Sequence, residues 1–525
     1  MLVAIYGLTV TLMILLPLAL AFLLRRRYVA PLWLFCVGMA TFIGSQLVHF
    51  PLNDLLVDVG LLQETGGMEG GQLLQTALIL GFTAGLGETT ARAVGYWFLF
   101  RRDAAKRWED GVMVGLGHGG IEAMIFGGVL TAASVGSLWA LRDADLSALN
   151  VSPEQLQALT QQMALFFDRP WHGFLGLLER STAILLHVSL SLLVWRAFQR
   201  RNVGYAVLAL AYHWAADAGA VYMIGRVGPE NLWLVEAVFV AIAAPGLLWI
   251  WWLWRQREPA PRPVVRPLAA ELELFVTATR KELLQQWRTK RLLVVAAVFL
   301  LFGFLSPLIA NFTPELLRTI EGAEQFADLV PTPTAADSLG QYIKNITQFG
   351  FIIAILLGMG AVAGEKERGT TAMILSKPLP RWAFILSKFV AQALVYALGF
   401  ALAAVGAYYY TMILFEPFAL GPFLLGNLLL LIWLLVFAAV TLLGSALAST
   451  TGAAAAIALG GAMLLLVGGS LPTVGAFAPS ALVGWAGQSG VGEAAQGNWG
   501  ALAANAVLII VMLVSAVAAF ETQEL

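Results

Sequence analysis

Apolar runs of about 20 residues recur along this 525-residue chain, and a run of that length is satisfied as a helix across a lipid bilayer. No water reaches the bilayer core to bond exposed backbone groups, so each run must close its hydrogen bonds on itself. Residues 1–24, 31–50 and 292–310 show the pattern with few charges. Charged residues make up 12% of the chain, against about 25% in soluble domains. The expected fold is therefore all-α: a polytopic bundle of about 13 transmembrane helices embedded in membrane lipid. A formal net charge of −1, with the basic residues in short clusters, gives no case for nucleic acid as a partner. The single cysteine, Cys36, lies inside the second run, which excludes a disulfide framework and a thiolate metal cluster.

The basic clusters set an expected orientation. Arg25, Arg26 and Arg27 follow the first apolar run, whereas a cleavable signal peptide carries its positive charge before it. By the positive-inside rule the amino terminus is outside and residues 101–107, 196–201 and 255–266 are cytoplasmic. The loop of Asp54, Asp58, Glu64 and Glu69, which lacks Lys and Arg, is outside, and the carboxy terminus is cytoplasmic. The expected location is the cytoplasmic (inner) membrane.

Spans are expected at residues 1–24, 31–50, 72–100, 111–141, 171–198, 203–225 and 231–254, about seven crossings that end inside. Pro259, Pro261, Pro263 and Pro267 then favour a stiff, extended conformation. This divides the chain into an amino-terminal module at 1–256, a linker at 257–267 and a carboxy-terminal module at 268–525. Residues 268–291 carry Glu271, Glu273, Lys281, Glu282 and Arg288, and suit an amphipathic helix along the interface. About six further spans follow, at 292–310, 342–363, 382–414, 420–448, 452–470 and 500–520, with long outside loops at 311–341 and 471–498.

All five histidines (His49, His118, His172, His187 and His213) precede the linker, so only the first module can hold a histidine site. Ionisable groups inside a membrane are costly and mark functional interiors. Here Glu88 and Arg92, His118 and Glu122, and His213 and Asp217 each stand at i and i+4, on one helix face. At 1.5 Å per residue, Glu88 lies about 19 Å from Arg101, His118 about 15 Å from Trp108, His187 about 14 Å from Arg196 and His213 about 17 Å from Asn202. One such pair alone is a structural feature, but four helices offering ionisable groups at one depth point to a shared polar chamber. His49 and His172 fall at span ends and read as interfacial.

The segments Gly-Glu-Thr-Thr-Ala-Arg at 87–92, Gly-Leu-Gly-His-Gly-Gly-Ile-Glu at 115–122 and His-Trp-Ala-Ala-Asp at 213–217 resemble the YhfC-type intramembrane metalloprotease family, distant relatives of the CAAX-processing proteases. The resemblance covers most of residues 1–256. The wider group carries Glu-Glu-x-x-x-Arg, a histidine on the next helix, and a later His-x-x-x-Asn or Asp. Here Gly87 takes the place of the first glutamate, which leaves Glu88 as the motif carboxylate. The resemblance implies an intramembrane peptidase in which Glu88 activates a water, Arg92 orients it and His118 assists. His213 and Asp217 stabilise the oxyanion or bind metal, and Glu122 and His187 complete the polar shell. It leaves two routes open, one through a zinc ion on His118, His213 and Asp217 and one through the glutamate alone.

In the second module, residues 364–381 read Gly-Glu-Lys-Glu-Arg-Gly-Thr-Thr-Ala-Met-Ile-Leu-Ser-Lys-Pro-Leu-Pro-Arg, with Ser387 and Lys388 beyond. This pattern resembles the type-2 permease family of ABC exporters over roughly residues 270–525. The resemblance implies that Glu365, Lys366, Glu367 and Arg368 form a short charged helix that docks on an ATPase, with Gly369 ending it before Thr370. The chain has no Gly-x-x-x-x-Gly-Lys-Ser/Thr loop, so ATP acts only through a separate ABC ATP-binding subunit. The expected assembly is a homodimer or a paired permease. With few charges in these spans, a peptide or lipid-like substrate is expected over an ion. The leading expectation is a permease fused to a protease-like module that processes and exports one substrate. The alternative is a permease whose first module is a non-catalytic sensor or assembly domain.

Overall fold

The computed structural model describes residues 1–62, 70–146, 151–228, 231–257, 266–319, 331–490 and 497–524. Among the described residues every regular element is a helix, and the chain divides into two compact units, Met1–Val265 and Arg266–Leu525. The proline-rich linker expected at 257–267 lies largely outside the described residues, as do Glu64 and Glu69. Among the described residues twelve helices are long and apolar enough to cross a membrane. The expected count of about 13 also included Gly71–Arg101, which is helical over 31 residues but carries Glu88, Thr89, Thr90 and Arg92 at its middle and is not among the twelve.

The first unit contains α1 (Leu2–Tyr28), α2 (Trp33–Asp58), α3 (Gly71–Arg101), α4 (Trp108–Glu122), α5 (Thr131–Ala140), α6 (Pro153–Asp168), α7 (His172–Arg200), α8 (Gly204–Val227) and α9 (Leu232–Gln256). Between α4 and α5 the helix widens into a π-helical stretch, Ala123–Leu130. All of α4 is buried, packed between α2 and α7, while α3 lies along α8. Glycine sets the α2–α4 crossing: a Cβ at Gly117 would overlap the Phe35 carbonyl, and one at Gly38 would overlap the Val114 carbonyl. Helix α2 runs on to Asp58 through Pro51, so His49 sits within it and not at a span end. Helix α6 was not expected from runs of membrane length, since it has 16 residues. Its start is fixed by Pro153 in the first turn and by Ser152 Oγ, which accepts from Gln155 N at 3.2 Å.

The second unit contains α10 (Leu268–Arg288), α11 (Arg291–Thr319), α12 (Ala335–Gly358), α13 (Ala363–Glu367), α14 (Thr370–Leu375), α15 (Arg381–Leu414), α16 (Leu420–Leu447), α17 (Thr451–Gly468), α18 (Pro472–Gly475), α19 (Pro479–Gly490) and α20 (Trp499–Glu521). Helix α16 is its centre, touching α12, α17, α19 and α20, and α10 lies against α15. The segment expected as a loop at 471–498 instead holds α18 and α19, where Leu482 and Trp485 bury an apolar face. Within the segment expected as a loop at 311–341, α11 continues to Thr319 and α12 begins at Ala335. Inside the unit, Tyr342 donates to Asn427 Oδ1 at 2.6 Å, Ser338 pairs with Thr411 at 2.7 Å and Asn345 donates to Ser306 at 2.9 Å. These uncharged bonds join spans that few ionisable residues enter.

Candidate active site in the amino-terminal unit

Glu88 stands near the middle of α3 with 6% of its surface exposed. Its Oε2 accepts from Arg92 Nη2, one turn on, at 3.1 Å, and lies 2.9 Å from His118 Nε2 on α4. His187 Nδ1 on α7 and His213 Nε2 on α8 are each 3.7 Å from the same oxygen. Four helices thus deliver side chains to one carboxylate, all of them buried. Tyr96, the turn below Arg92, holds α3 to its neighbours by donating to the Gly111 carbonyl at 3.2 Å and pairing with Ser191 Oγ at 2.7 Å.

Hydrogen bonds hold the imidazoles in place. His118 is held at both ring nitrogens, with Nδ1 2.9 Å from Thr41 Oγ1 and Nε2 on Glu88 Oε2, and Thr41 Oγ1 also lies 2.7 Å from the Gly38 carbonyl. His187 Nδ1 accepts from Arg92 Nη2 at 2.6 Å, which puts the His187 proton on Nε2, against Glu122 Oε2. Glu122 in turn accepts from Arg180 Nη1 at 3.0 Å. His213 Nε2 is 3.3 Å from Asp217 Oδ2, the most exposed carboxylate of the group at 31%. All seven residues singled out in the sequence, Glu88, Arg92, His118, Glu122, His187, His213 and Asp217, therefore belong to one connected cluster.

Among the described residues, those whose donor atoms could share a metal ion are Glu88, His187 and His213, all within 4.8 Å of one another. Of the set His118, His213 and Asp217, only His213 is among them. One carboxylate and two imidazoles suit zinc. The Arg92 guanidinium reaches the same point, however, so these residues would hold zinc only with Arg92 moved off His187 Nδ1.

Sequence reasoning missed Thr41, whose hydroxyl costs little in a membrane and leaves no charge to notice. It also passed over Glu179, Arg180 and Glu236, which the cost of intramembrane charge does flag. His49 is bonded within its own surroundings, to Gln46 Oε1 at 3.2 Å and Asn53 Nδ2 at 3.0 Å. It lines an apolar groove of about 770 Å³ between α2 and α3, beside Gly87 and Thr83. His172 begins α7.

In the second unit the charged turn is fastened from within. Ser445 Oγ accepts from Val362 N and Ala363 N, both at 3.0 Å, capping α13. Lys366 Nζ donates to the carbonyls of Ala446 at 2.6 Å and Ala448 at 2.9 Å, and Glu367 accepts from Thr451 Oγ1 at 2.8 Å. Gly369 ends the helix at φ 69°, and Thr370 Oγ1 donates to the Glu365 carbonyl at 3.1 Å. Glu365 is buried, and its Oε1 accepts from Lys388 Nζ at 2.8 Å, while Lys388 also donates to Glu282 Oε1 at 3.0 Å. Lys281 donates to Glu282 at 2.7 Å. Burial raises the Glu282 pKa, but Lys388 and Lys281 outweigh it and hold the carboxyl below its ordinary value. Of the six residues expected to couple to an ATPase, Glu365 to Thr370, Glu367, Arg368 and Gly369 are exposed.

The YhfC intramembrane metalloprotease family matches residues 12–239, and the ABC-2 family of transporter proteins matches residues 276–481. An uncharacterized membrane protein of Bacillus subtilis (strain 168), YhfC, is 28% identical over 243 residues, 45% of this chain and 90% of its own length. A second protein of that organism, the uncharacterized transmembrane protein YxlG, is 25% identical over 177 residues, 34% of this chain and 69% of its own. The probable ABC transporter permease protein NosY of Pseudomonas aeruginosa is 35% identical over 132 residues, 24% of this chain and 43% of its own. No solved structure matches the chain. The chain is a multi-pass membrane protein that joins a module similar to the YhfC intramembrane metalloproteases to a module similar to the ABC-2 transporter permeases.

Proposed function

We propose that the first module is an intramembrane peptidase and that the second is the permease of an ABC exporter, which together process and export a peptide. The observation that carries the reading is the meeting of His118, His187, His213 and Arg92 on the Glu88 carboxylate inside a membrane bundle. Stability alone offers no reason to bury such a set, because each intramembrane charge costs roughly 2.5–3.5 kcal/mol before pairing.

In the proposed reaction Glu88, with His118, takes a proton from a water, and the water oxygen bonds to the peptide carbonyl carbon. His213 donates to the oxyanion, with Asp217 orienting its imidazole. The C–N bond then breaks as the abstracted proton passes to the leaving amine. Arg92 and His187 hold the Glu88 carboxylate in place, and Thr41 positions His118. A second reading rests on the 4.8 Å donor set of Glu88, His187 and His213. A zinc ion there would supply a Lewis acid and a bound water of lowered pKa.

The permease would lie in the cytoplasmic membrane with its carboxy terminus inside. It would pair with a separate ATP-binding subunit, and with a second permease copy, through the exposed face of the charged turn. The test is export in cells expressing the chain with its ATP-binding partner. Glu88→Gln should leave the exported peptide unprocessed, and metal analysis of the purified protein separates the two chemistries. Processing that continues in Glu88→Gln would leave the sensor or assembly reading of the first module.

A further inference from the structure

A second cavity, of about 570 Å³, adjoins the Glu88 cluster, and its Glu179, Arg180 and Glu236 are not used by the proposed chemistry. It is built from the starts of α1, α7 and α9, the end of α8 and the helix beyond Glu122, the bundle end opposite Arg25–Arg27 and Arg196–Arg201. Four carboxylates line it, those of Glu122, Glu179, Asp217 and Glu236, against one guanidinium, that of Arg180, and the imidazoles of His172 and His187. Arg180 is committed already, since it donates to both Glu122 and Glu179. Glu236 is 8% exposed, and its Oε2 has no hydrogen-bond partner among the described residues. A buried carboxylate oxygen without a donor loses its hydration and gains nothing in return. Glu122 and Asp217 belong both to this cavity and to the Glu88 cluster, so whatever fills it lies beside the reacting groups.

We propose that this cavity is a specificity pocket for a cationic group, the ammonium or guanidinium of a basic residue close to the cleaved bond, with Glu236 as its principal acceptor. The proposal rests on the peptidase reading and narrows its substrate to peptides that bring a positive charge into the membrane from that end of the bundle. The excess of carboxylate over cation in the cavity would be balanced by the substrate, and a neutral side chain of equal length would leave Glu236 unpaired.

Binding can be read without turnover in the Glu88→Gln full-length chain in lipid nanodiscs. The probes are two fluorescent apolar peptides, identical except that one carries lysine and the other norleucine near the end that enters the cavity. The lysine peptide should bind about tenfold or more tightly than the norleucine peptide. The preference should fall below about threefold in the additional Glu236→Gln variant. Equal affinities in the parent protein would overturn the pocket and mark the cavity as water-filled only, whatever the folding of the Glu236 variant. A preference that survives Glu236→Gln in a folded protein would also overturn it. The outcomes separate from those of the peptidase reading. Discrimination in binding, with neither peptide cleaved by the wild-type chain, keeps the pocket and removes the peptidase. Equal binding and equal cleavage do the reverse.

Discussion

His118 is tied to Thr41 through one ring nitrogen and to Glu88 through the other, so a change at Thr41 reaches the reaction through Glu88. Replacing Thr41 by Val removes the hydrogen-bond partner and frees the imidazole to turn or change tautomer. Thr41→Val should cost about tenfold or more in kcat, whereas Thr41→Ser should stay within about threefold of the parent. A pH–rate profile that shifts in Thr41→Val and returns in Thr41→Ser distinguishes positioning from simple loss of packing. Gly117 is sensitive for a different reason: the atom that a Cβ would strike is the Phe35 backbone carbonyl, which cannot swing aside. Gly117→Ala should therefore destabilise the protein by about 1–3 kcal/mol in thermal unfolding and carry His118 away from Thr41. Glu88, His118 and His213 were legible in the sequence because a charge in a membrane is expensive wherever it points. Counting residues gives depth along a helix but not rotation about its axis. That is why His187, and not His118 or Asp217, joins His213 and Glu88 in the donor set.

Lys388 on α15 joins α10 and the charged turn through Glu282 and Glu365, with only 2% of its side chain exposed. Lys388→Met would leave two buried carboxylates sharing only the half-exposed Lys281, and an expected loss of about 3–5 kcal/mol should show as a lowered unfolding midpoint in detergent. The same network has a pH signature. Because the folded Glu282 pKa is held below its ordinary value of about 4.3, its contribution is present above that pH. The contribution is lost as pH falls through the folded value, and an acid limb of the stability curve that disappears in Glu282→Gln checks it. The helices themselves were legible as apolar runs. What escaped was short or mixed in character: α6 and α19 are below membrane length, and α3 is diluted by the polar residues of the site. The charged turn was legible as a motif, but not as a clamped one, because Ser445, Thr451 and Lys388 come from far along the chain.

The chain divides into two compact units, and because the proposed reading gives each its own activity, each activity should be open to loss alone. Arg368 is exposed on the charged turn while Glu365 is buried. Arg368→Glu should therefore weaken co-purification of an ATP-binding subunit about tenfold while membrane insertion and peptide cleavage persist. Glu365→Lys should lower the amount of folded protein itself. Arg368→Glu protein that retains its ATP-binding subunit in full would move the docking surface elsewhere. The account turns on whether the buried cluster around Glu88 hydrolyses a peptide bond, and mass spectrometry of a test membrane peptide incubated with the purified full chain in heavy-oxygen water measures that directly. One heavy oxygen should enter the new carboxyl terminus with wild-type protein and none with Glu88→Gln. Equal incorporation by both, or an intact peptide with wild-type protein across a panel of basic and neutral sequences, would contradict the account.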